Sequence, residues 1–148
     1  MTRIKQELIE MPDKDLDYQG HEIKENMIRI DATSKRNGAK CPHCGKYSDK
    51  PYARDTREFQ DLPIQGKTVY YEIEIHKYFC LNPECEYKTF AERFTCVPEH
   101  GSRTKRLEDK ILAVAKHTST VKAAEILNDM GIQIGNRDIS NLLKKNRN

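Results

Sequence analysis

The chain contains no tryptophan, and aromatic residues make up only 7% of it. Hydrophobic residues of all kinds reach 36%, against 33% charged. So little apolar material limits the core that 148 residues can build, and a small domain of this composition gains from an added staple. No run approaches the roughly 18 apolar residues of a membrane span, so no membrane association is expected. The N-terminal stretch MTRIKQELIEMPDKDLDY lacks the apolar segment of a secretory signal. These absences point to a cytoplasmic protein, where thiols stay reduced. Its five cysteines are then ligand candidates rather than disulfide partners. There is no internal repeat and no low-complexity tract.

The net charge of +3 is modest but unevenly placed. From Met1 to Lys40 eight Lys and Arg stand against eight Asp and Glu, and from Cys41 to Gly101 eight stand against ten. From Ser102 to Asn148 the balance is ten to five. A local surplus of that size points to nucleic acid or another acidic partner; a solvated helical surface is the bland alternative.

Residues 1–14 read as a poorly specified lead-in of a helical turn or two, interrupted at Pro12. LDYQGHEIKE and NMIRIDATS alternate roughly and carry β-branched residues, which predicts two strands meeting at Glu25 and Asn26. SKRNGAK predicts a loop. TREFQDLP predicts a strand, with a turn at Pro63 and Gly66. KTVYYEIEIHKYF alternates clearly: Val69, Tyr71, Ile73 and Ile75 face one way, and Tyr70, Glu72, Glu74 and His76 the other. That pattern predicts a long, half-buried antiparallel strand leading straight into Cys80. PEHGSRT is a linker by composition.

Two cysteine pairs flank the strand-rich stretch. AKCPHCGK holds Cys41 and Cys44 at C-x2-C spacing, and FCLNPEC holds Cys80 and Cys85 at C-x4-C spacing. Tetrahedral zinc takes four ligands, and two short thiolate-bearing turns supply two each. Gly45 and the Asn82-Pro83 step suit tight turns whose backbone amides point at sulfur. One structural zinc held by Cys41, Cys44, Cys80 and Cys85 is the expectation. Four protein ligands close such a site and leave no place for an activated water. A redox C-x-x-C is the competing reading, but it would leave the second pair idle. His43 and His76 are alternative ligands or lie around the site. Cys96 is read as a small hydrophobe under a loop, or as a substitute ligand.

From Thr104 the period becomes helical. TKRLEDKILAVAKHT places Leu107, Ile111, Val114 and Ala115 on one stripe. TVKAAEILNDM is a second helix, capped at Ser119 or Thr120 and stopped by Gly131. NRDISNLLKK is a third, with Ile139, Leu142 and Leu143 as its buried side. Three short helices with a brief GIQIG connection suggest a helix-turn-helix. The polar side of the third helix carries Asn136, Arg137, Ser140 and Asn141, types that read base edges, and Lys144 and Lys145, types that hold phosphates. Arg103, Lys105 and Arg106 at the start of the first helix are further phosphate candidates. The predicted fold is therefore α+β: an antiparallel β zinc ribbon over residues 15–97, a linker over 98–103, and a three-helix helix-turn-helix bundle over 104–148.

CPHCG, DLPIQGKTVYYEIEIHKYFCLNPEC, KTFAERF and the AAEIL helix before GIQIGNRDISNLLKK together resemble the N-terminal region of bacterial transposases of the IS-L-three insertion-sequence family. The D-L-P-x-x-G turn and the C-x-N-x-x-C knuckle are the most specific pieces, and the resemblance spans roughly Leu16 to Asn148. It implies a zinc ribbon with these two cysteine pairs ahead of a helix-turn-helix, and binding to the ends of a mobile element. Family members continue into a nuclease domain with three separated acidic residues. This chain ends where that domain would begin, so no catalytic residue is carried over and no enzyme is expected. The expected function is a non-catalytic, truncated transposase-like protein that binds double-stranded DNA at terminal inverted repeats. It would act in the cytoplasm at the nucleoid, alone or with itself or a full-length transposase. A stand-alone transcriptional regulator and a zinc-stapled protein–protein adaptor are the alternatives.

Overall fold

The computed structural model describes residues 9–98 and 101–146. The first eight residues of the predicted lead-in lie outside the described residues. The rest of it forms no helix or strand, and Ile9 and Met11 pack onto the sheet core. Seven strands follow: β1 Leu16–Lys24, β2 Met27–Ser34, β3 Ala39–Lys40, β4 Tyr47–Ser48, β5 Pro51–Ile64, β6 Lys67–Phe79 and β7 Thr89–Ala91. Among the described residues three helices follow: α1 Lys105–Ala115, α2 Thr120–Asp129 and α3 Asn136–Asn146.

The main sheet has the order β1-β2-β6-β5, with β7 also paired to β6. The β1–β2 and β5–β6 hairpins turn at Glu25 and Gln65, both with a φ of 50°, and β3–β4 is a separate two-stranded ribbon. The expectation of a purely antiparallel sheet is corrected by β2 and β6, which pair in parallel from Met27 with Thr68 to Thr33 with Glu74. The reason lies at one end of the sheet. β2 leads into the knuckle at Cys41, and β6 leads directly into Cys80. Strands that each run into half of a shared site must point the same way. Alternation fixes which face a residue takes, but not the direction of a neighbouring strand.

Val69, Tyr71, Ile73 and Ile75 of β6 face the core as predicted. They meet Ile28, Ile30 and Ala32 of β2 and Phe59 of β5, and the irregular segment after β7 closes the face with Phe94 and Val97. Each such fully buried side chain contributes about 1.5–3 kcal/mol. The opposite face is wet. There Arg29 lies 3.2 Å from Glu22, 3.3 Å from Asp31 and 3.6 Å from Glu72, exposed pairs that each contribute at most about 1 kcal/mol.

The helices have a core of their own. Leu107 and Ile111 of α1, Ala123 and Leu127 of α2, Ile132 and Ile134 of the connection, and Ile139 of α3 are all buried together. Val114, Leu142 and Leu143 are half-buried against them, and Leu112 is buried in addition to the predicted stripe. Thr104 caps α1 by accepting from the Leu107 amide, and Ser119 caps α2 by accepting from the Lys122 amide, which satisfies amides the helices leave unpaired.

The two cores are joined by the end of β5. The Gln60 amide donates to the Ser102 carbonyl at 2.8 Å, and the Thr104 amide donates to the Gln60 carbonyl at 3.0 Å. The Gln60 side chain donates to the Gln133 carbonyl at 2.9 Å and accepts from the Gln133 amide at 2.8 Å. Its carboxamide thus acts like a stretch of backbone against the α2–α3 connection. Buried Asp61 accepts from Thr104 Oγ1 at 2.7 Å and from the Arg106 guanidinium. Leu62 packs into the helical core. Gly131 has a φ of 99°, and a Cβ there would fall 2.6 Å from the Gly66 carbonyl oxygen, so both conformation and space demand glycine.

Candidate metal centre and nucleic-acid interface

The sulfurs of Cys41, Cys44, Cys80 and Cys85 all lie within 4.8 Å of one another. Thiolates bound to zinc at about 2.3 Å in a tetrahedron stand about 3.8 Å apart; Cys44 and Cys80 Sγ are separated by 3.6 Å. The donor set and the spacing fit one structural zinc.

Local turns build each half of the site. In the first knuckle the Cys41 amide donates to the Lys46 carbonyl at 2.9 Å, and the Gly45 amide to the Cys41 carbonyl at 2.8 Å. Gly45 takes a φ of 82°, which favours glycine. In the second, the Cys85 amide donates to the Asn82 carbonyl at 3.1 Å, and the Asn82 side chain accepts from the Glu84 amide at 3.0 Å. The Cys80 amide donates to the Lys88 carbonyl at 2.8 Å. Tyr78 and Phe90 pack with Cys41 beneath the cluster.

A hydrogen bond from the Lys46 backbone brings the Cys44 thiol down to about 6. The Asn82 backbone favours ionisation of Cys80, yet desolvation and the neighbouring thiols push it up to about 12. With the sulfurs this close, one thiolate suppresses ionisation of the next. A divalent metal removes that repulsion and allows all four to ionise.

Neither candidate histidine joins the cluster. His43 stacks on Tyr87 with ring centroids 3.5 Å apart, bracing one knuckle against the other. His76 lies beside Tyr78 and Glu92, with Nδ1 3.3 Å from the Tyr78 hydroxyl. Cys96 is half-buried against the sheet core, and burial raises its thiol to about 11.

The helical candidates sort into three groups. On α3, Asn136, Arg137, Asn141, Lys144 and Lys145 are exposed, Ser140 is half-buried, and Ile139 is buried on the opposite side. Lys105 is exposed at the start of α1. Arg103 and Arg106 are engaged inside the protein: Arg103 Nη2 donates to Asp138 Oδ2 at 3.2 Å, while Arg106 holds Asp61 and donates to the Glu10 carbonyl at 3.0 Å. Sequence reasoning missed Gln60 and Asp61 as the residues that fix the helices to the sheet. The D-L-P-x-x-G turn, which begins at Asp61 and follows Gln60, was the available signal. Among the described residues, no helix is long and apolar enough to cross a membrane.

No curated protein and no solved structure matches the chain. One family model does, over residues 38–85, which carry all four metal ligands. The metal-binding stretch of this chain is similar to the zinc-finger of transposase IS204/IS1001/IS1096/IS1165.

Proposed function

We propose that the protein is a non-catalytic DNA-binding protein, related to transposases, that holds the terminal inverted repeats of a mobile element. In this reading α2, the connection over residues 131–135 and α3 act as a helix-turn-helix. The observation that carries it is the two-sidedness of α3: Ile139 is buried in the helical core, while Asn136, Arg137, Asn141, Lys144 and Lys145 stand exposed. A helix presenting those side chains suits the major groove, which is about 12 Å wide. The N-terminal residues Asn136, Arg137, Ser140 and Asn141 reach base edges or lie beside them, as recognition helices do. Lys144 and Lys145 hold phosphates. Arg106, bound to buried Asp61, serves instead to seat α1 on the sheet.

The metal has no catalytic part in this reading, because four thiolates leave no open position. Among the described residues the four cysteines form the one metal-ligating cluster, which supports a structural role. Double-stranded DNA is the partner, with a second copy or a full-length transposase as further protein partners. Retention of a genomic fragment library on the purified protein, followed by sequencing, tests the proposal. Recovery of one sequence class bounded by inverted repeats supports it. Promoter fragments would shift the reading to a regulator, and no retention at moderate salt would leave the adaptor.

A further inference from the structure

We propose that the groove between the first cysteine knuckle and the start of α1 is a second nucleic-acid site, one that takes a sugar–phosphate backbone. The inference rests on the DNA-binding reading and extends it from α3 to the metal-bearing half. The groove encloses about 410 Å³. Pro42 and His43 of the knuckle line it together with Lys105 of α1, and Arg57 and Arg93 line it too. Among the described residues its single lining carboxylate is Glu92, whose side chain is fully buried. That carboxylate accepts from Ser34 Oγ at 2.7 Å and from the His76 amide at 2.7 Å, so its charge is satisfied within the protein. Among the described residues, Arg57 and Lys105 bring positive charge to its solvent face.

Two of the cations are well placed to meet a phosphate. The Arg57 guanidinium lies 4.6 Å over the Phe59 ring and donates one hydrogen bond to the Gly101 carbonyl at 3.1 Å. It is held in position with further N–H groups to offer, since a guanidinium carries five. Among the described residues neither Arg57 nor Lys105 forms an ion pair. His43 is fixed at the knuckle by its stacking on Tyr87. Ile75, Phe94 and Val97 line the interior, and such side chains offer nothing to base-edge donors and acceptors. Recognition in this groove is therefore by charge and independent of sequence. Two residues before Lys105, Arg103 touches Asp138 in the first turn of α3, so the groove ends close to the base-reading helix.

The test uses the full chain with its zinc and an Arg57→Gln, Lys105→Gln double variant. Arg57 is half-buried and Lys105 exposed, so unchanged metal content and circular dichroism are required to verify the fold. Binding is measured against potassium chloride concentration with three probes: the selected duplex, a random duplex and a single strand of the same length. The double variant is expected to lower the salt slope by about two and to weaken both duplexes roughly tenfold, with sequence preference intact. Greater loss on the single strand would name an unpaired strand as the occupant; greater loss on the duplexes would name duplex backbone. An unchanged slope on every probe, with Arg137→Ala still abolishing preference, overturns the groove and leaves the reading of α3 standing. Wild-type protein that binds none of the probes overturns both.

Discussion

The sheet is built from residues far apart in sequence, whereas the helices bury a core drawn largely from one stretch of about forty residues. β6 pairs with β2 across an interval that contains β3, β4 and β5, so the sheet must close long loops before its contacts form. Its end is gathered by four thiolates. The helices have caps, a continuous stripe and short connections, and hold none of the four clustered cysteines. The contrast assigns different work to the two regions: a metal-held scaffold, and a self-cored unit set on it at a fixed angle by Gln60 and Asp61.

The largest expected effect comes from the metal. Structural zinc contributes on the order of 10 kcal/mol of apparent binding energy that is also folding energy. Chelation, or Cys80→Ser, is expected to melt the sheet while helical circular dichroism largely persists. Simultaneous loss of both signals would erase the contrast. Leu127→Ala attacks the other region. It removes a fully buried side chain and is expected to cost about 2–5 kcal/mol, melting the helices with metal content unchanged in native mass spectrometry.

The joint should respond less. Arg106→Leu strands Asp61, whose side chain is 3% exposed. A loss of about 3 kcal/mol is expected, toward the low end for a broken buried pair because Arg106 itself is partly solvated. Denaturant unfolding of the variant should then separate into two transitions, while those of the wild type are expected to stay closer together. Gln60→Ala is smaller again, about 1–2 kcal/mol, for two hydrogen bonds to Gln133. Faster hydrogen exchange at Gln133 with an intact helical core would place that loss at the joint.

The sequence was most legible where one physical rule acts alone. The period of two in β6 fixed its buried face, and the two cysteine pairs announced a four-thiolate site that the folded chain gathers. Gly131 was read as a helix stop, and the approach of Gly66 adds a second reason for glycine there. What stayed hidden depended on partners distant in sequence. The parallel direction of β2 follows from where the two knuckles must meet. Arg106 reads as a free cation beside Lys105 until Asp61, 45 residues earlier, is seen to claim it. Gln60 is marked only by the D-L-P-x-x-G turn that follows it, because its role depends on the amide and carbonyl of Gln133.

The reading of α3 as the element that meets DNA is tested most directly by fluorescence anisotropy with Arg137→Ala, on the selected duplex and on a random duplex at the same salt. The account predicts a loss of about 1–3 kcal/mol on the selected duplex and little on the random one. Equal affinities of variant and wild type for the selected duplex would contradict it.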